Sequence, residues 1–195
     1  MLLNEAFYRR QDVTRIARDL LGKALFTRID GKTTAGIIVE TEAYSWKERG
    51  CHAYNNRMTA RNAVMFGEGG NAYVYLCYGM YNLFNVVTNR EGKADAVLIR
   101  ALEPVEGLTT MLKRTGAGKP SRITSGPGKL TRALAIDRKH NGLPLSSRQV
   151  WLEDAGVRIA RGMTVASARI GIDYAGEDAN LPWRYTIKDN IWVSK

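Results

Sequence analysis

An Asp30-Gly31 pair stands between two β-type segments, 24–28 and 35–44, and commits the chain to an antiparallel hairpin near its start. Both residues tolerate the positive φ of a two-residue turn, whose twist matches that of its flanking strands. The pattern returns at 73–76 and 83–88, which flank a turn containing Tyr78-Gly79, and 96–102 reads as a further strand. Upstream, Asp12 can cap a helix over 12–21 in which Val13, Ile16, Ala17 and Leu20 share one face, with Gly22 placed to end it. Short helices are predicted over 106–114 and 127–136, separated by a basic loop at 115–124. Beyond Val150, strands are predicted at 157–160, 169–172 and 185–187. The polar, glycine-bearing stretch 45–70 reads as a long loop with room for one short helix, and such loops in compact domains are often functional. No repeat, low-complexity tract or linker divides the 195 residues. The prediction is one α+β domain, residues 1–195, built on a mostly antiparallel sheet.

The chain carries 29 Lys and Arg against 19 Asp and Glu, a net charge of +10. The excess is concentrated in Lys113, Arg114, Lys119, Arg122, Lys129, Arg132, Arg138 and Lys139, with Asp137 the one acid in that segment. Such a cluster fits a polyanion, with nucleic acid ahead of a membrane surface because no amphipathic apolar stripe accompanies it, although many charge runs are only solvated faces. No apolar run approaches the roughly 18 residues of a membrane span, and residues 1–10 lack the apolar core of a signal peptide, which predicts a soluble, unsecreted protein. Cys51 and Cys77 form no C-x-x-C pair and have no clustered His partners, so reduced thiols and no metal centre are expected.

Side chains alternate along a strand, so Ile38, Glu40, Glu42 and Tyr44 place two carboxylates and a phenol on one surface. A solvated face with surface ion pairs accounts for this as well as catalysis does. A carboxylate lodged beside aromatic rings in a drier site would instead serve as base or acid. Rings do follow, with four tyrosines in the nine residues 73–81. Tyr73 and Tyr75 share a face, and cross-strand packing suits Tyr73 and Tyr81, whereas Tyr78, at a hairpin tip, is a candidate wedge between stacked bases. Ser125-Gly126-Pro127-Gly128-Lys129 opens a predicted helix with free amides and a lysine, a setting for phosphate, but lacks the P-loop pattern. Gly67-Glu68-Gly69-Gly70 leads into a strand and supports a turn only. His140 reads as exposed, and His52, alone in the long loop, has no role on its own. Serine hydrolase and metalloprotease motifs are missing. Two other classes stay open on the residues alone. One is a non-catalytic DNA- or RNA-binding module; the other is a glycoside hydrolase, because Glu40 and Glu42 stand roughly 7 Å apart, near the span of an inverting pair.

Taken in order, Glu40-Thr41-Glu42-Ala43-Tyr44, His52, Thr59-Ala60-Arg61-Asn62, Met65-Phe66, Tyr73-Val74-Tyr75, Tyr78-Gly79-Met80-Tyr81, Arg100-Ala101-Leu102-Glu103-Pro104 and Ser125-Gly126-Pro127-Gly128-Lys129-Leu130 resemble the alkyladenine (3-methyladenine) DNA glycosylase family, from about Ile16 onward. Ala60 departs from the pattern, which has proline there. The resemblance implies a single α+β domain with a curved, mostly antiparallel sheet, surrounding helices and a β-hairpin that enters the minor groove. It implies that Glu42 is the general base activating a water against C1′ of a damaged nucleotide, and that Arg100 helps hold that water. Tyr44, His52 and Tyr75 resemble the residues enclosing the extruded base, and Asn85 the asparagine that collides with the amino group of normal guanine. Tyr78 resembles the intercalating side chain, and Met80, Arg61, Arg122 and Lys129 are expected to face DNA. The implied activity is monofunctional: alkylated or deaminated purines, the 3-methyladenine, 7-methylguanine, hypoxanthine and ethenoadenine class, are flipped out and released, leaving an abasic site. The partner would be duplex DNA containing a damaged purine, with no cofactor, no metal and no membrane. A monomer is expected, in the cytoplasm with the nucleoid if bacterial and in the nucleus if eukaryotic.

Overall fold

Residues 1–194 are described by a computed structural model. A short helix, α1 (Glu5–Tyr8), precedes α2 (Val13–Leu20), whose N-cap Asp12 accepts from the Thr14 and Arg15 amides as the sequence predicts. β1 (Ala24–Ile29) and β2 (Lys32–Tyr44) follow, joined through Asp30 and Gly31 with φ of 53° and 70°, the mirror-image turn that Asp-Gly favours. Next come β3 (Ala72–Cys77), β4 (Tyr81–Thr88), β5 (Asp95–Glu106), α3 (Leu108–Thr115) and α4 (Pro127–Leu134). β6 (Val150–Glu153), β7 (Thr164–Ser167) and β8 (Arg184–Ile187) complete the sheet. Among the described residues, no helix is long and apolar enough to cross a membrane.

Every strand pairing is antiparallel, in the order β3-β4-β5-β2-β1-β6, and the sheet forks at β2. One edge of β2 pairs with β5; the other pairs with β1 as far as Ile37 and then with β8 at Glu40, Thr41 and Glu42. Register shifts against β5 fall at Ala35/Gly36 and on either side of Glu40. Bulges increase local twist, and here they curl the sheet into an open half-barrel. The Thr41 hydroxyl donates to the Ala17 carbonyl (2.9 Å), tying α2 to the sheet, while α4 packs on β4 and β5. Ile16, Leu20, Ile38, Leu102 and Leu130 are wholly buried in the main core, each such side chain contributing about 1.5–3 kcal/mol. A second cluster of Cys51, Ala53, Met65, Phe66, Tyr73 and Ala96 pins the 45–70 loop to the sheet.

The structure departs from the predicted elements in four places. The 45–70 loop holds two 3-10 turns, Tyr54–Asn56 and Ala63–Phe66, instead of one helix. β5 continues to Glu106, laddered to Ala35, and the helix expected from 106 begins at Leu108 after Gly107 turns left-handed. Segment 157–160 lies between the left-handed Gly156 and Gly162 and joins no ladder. Segment 169–172 is also irregular, because the buried Arg169 side chain binds Glu48 rather than leaving its backbone at a sheet edge.

Gly107 and Gly31 share a left-handed φ, 74° and 70°, but a Cβ at Gly107 would collide with the Thr33 carbonyl oxygen, whereas Gly31 faces open space. Gly31→Ala should cost about 1–2 kcal/mol from backbone strain alone. Gly107→Ala should cost more, because the chain itself must shift. Urea midpoints of the two variants check the order.

Candidate active site

β2 and β5 lie side by side where Glu40 pairs with Ala101 and Glu42 with Leu98. Both carboxylates are wholly buried, and Arg100, 7% exposed, lies between them. Its Nε donates to Glu40 Oε1 (2.9 Å) and its Nη1 to Glu42 Oε2 (3.3 Å). A solvated polar face is therefore excluded. Ions buried in this way cost several kcal/mol each unless paired and hydrogen-bonded, and here each carboxylate is both. Burial works against the Arg100 charge, but Glu42 and Glu40 outweigh it and hold the guanidinium more firmly protonated than usual.

What else holds the two carboxylates separates them. Glu40 also accepts from Arg184 Nε (2.7 Å) and from the amide and hydroxyl of Ser194 (2.7 and 2.8 Å), and so is committed to structure. Glu42 accepts from the Ile170 amide at Oε1 and from the Tyr44 hydroxyl at Oε2, both 2.8 Å. Burial, followed by the Glu42 carboxylate, keeps the Tyr44 phenol well above its ordinary range, so it remains a donor.

A cleft of about 1050 Å³ opens over this arrangement, and Tyr44, Arg100 and Ile170, the donors to Glu42, all line it. Asn85 also lines it, buried, with its Nδ2 tied to the Tyr73 carbonyl (3.1 Å). His52 and Tyr75 form an aromatic wall, meeting edge to face with ring centres 4.6 Å apart. Tyr73 braces it from behind, its hydroxyl 2.9 Å from His52 Nδ1, and the Arg61 guanidinium lies 5.0 Å from the Tyr75 ring centre. Burial and then Arg61 push His52 down to about 4, although the residue is exposed on the cleft lining. The imidazole is neutral at neutral pH.

At the rim, the tip of the β3–β4 hairpin holds Tyr78 (84% exposed) and Met80 (69%) in water. Lys129, exposed, lines the cleft from the first turn of α4. That turn lies against the hairpin base, since a Cβ on Gly128 would come within 2.7 Å of the Tyr81 ring. The fold thus gathers Tyr44, His52, Arg61, Tyr75, Tyr78, Met80, Asn85, Arg100 and Lys129 around one cleft, with Glu42 beneath its lining. It does not bring Arg122 there; that residue is exposed in the loop before α4. Within the basic cluster, Arg114 is occupied structurally, donating to Thr34 Oγ1 and the Ala133 and Ile29 carbonyls. His140, expected in solvent, is buried, its Nδ1 accepting from the Asp137 amide (3.1 Å) in a capping box.

The sequence reading missed three contributors. Ile170, within the segment taken for a strand, supplies a backbone donor to Glu42. Arg169 and Glu48 form a buried ion pair (2.7 Å) between that segment and the long loop. Tyr174 joins the lining and donates its hydroxyl to the Gly50 carbonyl (3.2 Å). None has a local pattern to betray it, since each acts across more than 100 residues of chain.

The chain is similar to known proteins over nearly its whole length. The family described as methylpurine-DNA glycosylase matches residues 6–191. A protein of Methanocella arvoryzae is 49% identical, covering 100% of this chain and 96% of its own length. Proteins of Carboxydothermus hydrogenoformans (47%, 100% of both chains) and Chlamydia felis (46%, 100% of this chain and 99% of its own) are similar, and all three are provisionally named 3-methyladenine DNA glycosylase. The matched span includes the hairpin, the cleft and the paired carboxylates, and the chain belongs to the methylpurine-DNA glycosylase family.

Proposed function

We propose that the chain is a monofunctional DNA glycosylase that draws alkylated or deaminated purines out of duplex DNA and hydrolyses their N-glycosidic bond, with Glu42 as general base. One observation carries this reading. Glu42 lies dry beneath an aromatic-walled cleft, held by Arg100, Tyr44 and the Ile170 amide, beside a hairpin tip whose Tyr78 is open to solvent.

The bond to be cut is out of reach in a stacked duplex, so the nucleotide must rotate out, at a cost of a few kcal/mol that is least for a damaged or mispaired base. Tyr78 and Met80 fill the gap left behind, while Arg61, Arg122 and Lys129 meet the backbone. Tyr44, His52 and Tyr75 enclose the extruded base. A ring-alkylated purine is cationic and favours electron-rich faces, and a neutral His52 adds no opposing charge. Asn85 rejects the exocyclic amino group of normal guanine by collision. Glu42 takes a proton from a water as its oxygen attacks C1′, and the electrons of the C1′–N bond leave with the purine; they cancel the positive charge of a ring-alkylated base, whereas a neutral deaminated base takes up a proton from solvent as it departs. Among the described residues Lys129 is the one lysine on the cleft lining, exposed at the start of α4, which favours hydrolysis and an uncut strand. Glu40, saturated by four donor contacts, has no capacity to act as the second carboxylate of a glycoside hydrolase. Activity on chromosomal DNA would be carried out in the cytoplasm, with the nucleoid, in a bacterial or archaeal cell such as those of the relatives.

Glu42→Gln should bind alkylated duplex as before but lose excision by about a hundred- to ten-thousandfold, the usual contribution of a general base. Release of free purine from methylated DNA measures it, and substantial retained excision refutes the role. Tyr78→Ala should keep the wild-type melting temperature and lose about 1–3 kcal/mol of affinity for lesion duplex, the worth of one stacking contact. Equal affinity in a gel-shift assay removes the wedge. His52 should titrate near 4 by NMR. Its folded value lies below the 6.5 of the unfolded chain, so its contribution to stability is full above that value and declines as pH falls from 6.5 towards 4. Affinity for a cationic base should hold down to about pH 5 and fall below it, as the ring gains charge.

A further inference from the structure

The segment that brings the Ile170 amide to Glu42 is anchored by an ion pair for which the proposed reaction has no use. The Arg169 side chain is fully buried and that of Glu48 is 4% exposed. The contact is a fork: Nη1 donates to Glu48 Oε1 and Nη2 to Oε2, both at 2.7 Å. Nη1 also donates to the carbonyl of Ala43 (2.9 Å), the residue between Glu42 and Tyr44, and Nη2 to the carbonyl of Asp178 (3.1 Å). The guanidinium lies 4.7 Å from the Tyr44 ring centre. One side chain therefore ties the strand that carries Glu42, the loop after it and the irregular segment around Ile170.

Two of the three donors to Glu42 are set by this residue. The Ile170 amide is next to it in sequence and the Tyr44 ring is covered by its guanidinium. We propose that Arg169, clamped by Glu48, is a positioning residue that aims the Glu42 carboxylate at the attacking water. The inference rests on the reading of Glu42 as the base. It follows from geometry: a planar fork fixes two carboxylate oxygens, two carbonyls and a ring at once, which the point charge of lysine cannot do.

Arg169→Lys and Glu48→Gln test it, each against wild type and Glu42→Gln, by single-turnover purine release from methylated duplex and by affinity for a duplex carrying a tetrahydrofuran abasic analogue. A displacement near 1 Å costs about a hundredfold in rate, so excision should fall about 10- to 100-fold while affinity stays within about twofold. Thermal melts of both variants identify those folded at the assay temperature. The proposal is overturned if a folded variant excises at the wild-type rate, if rate and affinity fall in parallel, or if neither variant folds, which would make the pair a stability element. If wild type releases no purine, the glycosylase reading fails and this inference falls with it. If wild type excises, Glu42→Gln is inert and Arg169→Lys matches wild type, only the positioning role fails.

Discussion

Glu40, Arg100 and Glu42 are ions taken out of water, and a trio of this kind is tolerated only when every charge finds a partner. Removing one member of a buried pair typically costs 3–5 kcal/mol, because the survivor is left uncompensated. The sheet is arranged to prevent that. β2 offers both carboxylates on one face, β5 supplies Arg100 beside them, and the fork of β2 admits β8, which carries Arg184 to Glu40. Ser194 closes the remaining directions around Glu40. The contrast between the two carboxylates follows: one is consumed in holding the strands together, and the other keeps donors that lie on the cleft lining.

Wherever the determining contacts are close in sequence, the fold was legible. The Asp12 cap, the Asp30-Gly31 turn and the Tyr78-Gly79 hairpin are local patterns, and each element stands within three residues of its predicted place. The alternation of Glu40, Glu42 and Tyr44 also holds, because a phenol two residues from a carboxylate can reach it only if both face the same way. Burial was not legible. Nothing in the spacing of Glu40 and Glu42 tells a wet surface from a dry one; Arg100, 60 residues from Glu40, decides it. His140 misled for the same reason, since its basic neighbours suggested solvent while its ring caps a turn from within.

The later third of the chain defeated pattern reading. Arg169-Ile170-Gly171-Ile172 has the composition of a strand, yet a charge that must find Glu48 overrides β-propensity, which measures fit to a pleated surface more than a backbone preference. Family resemblance located Glu42 and Arg100 from local motifs. It offered no means of seeing that a backbone amide 128 residues away completes the cradle of Glu42.

That separation has a kinetic meaning. The hairpin that presents Tyr78 joins residues at most 14 apart, whereas, the Tyr44 contact aside, the cradle of Glu42 and the ties on Glu40 draw together residues 58 to 154 apart. Short loops close early and long ones late. On the proposed function, a newly folding molecule would form the hairpin meant to hold nucleic acid before the long-range part of the cradle around its base.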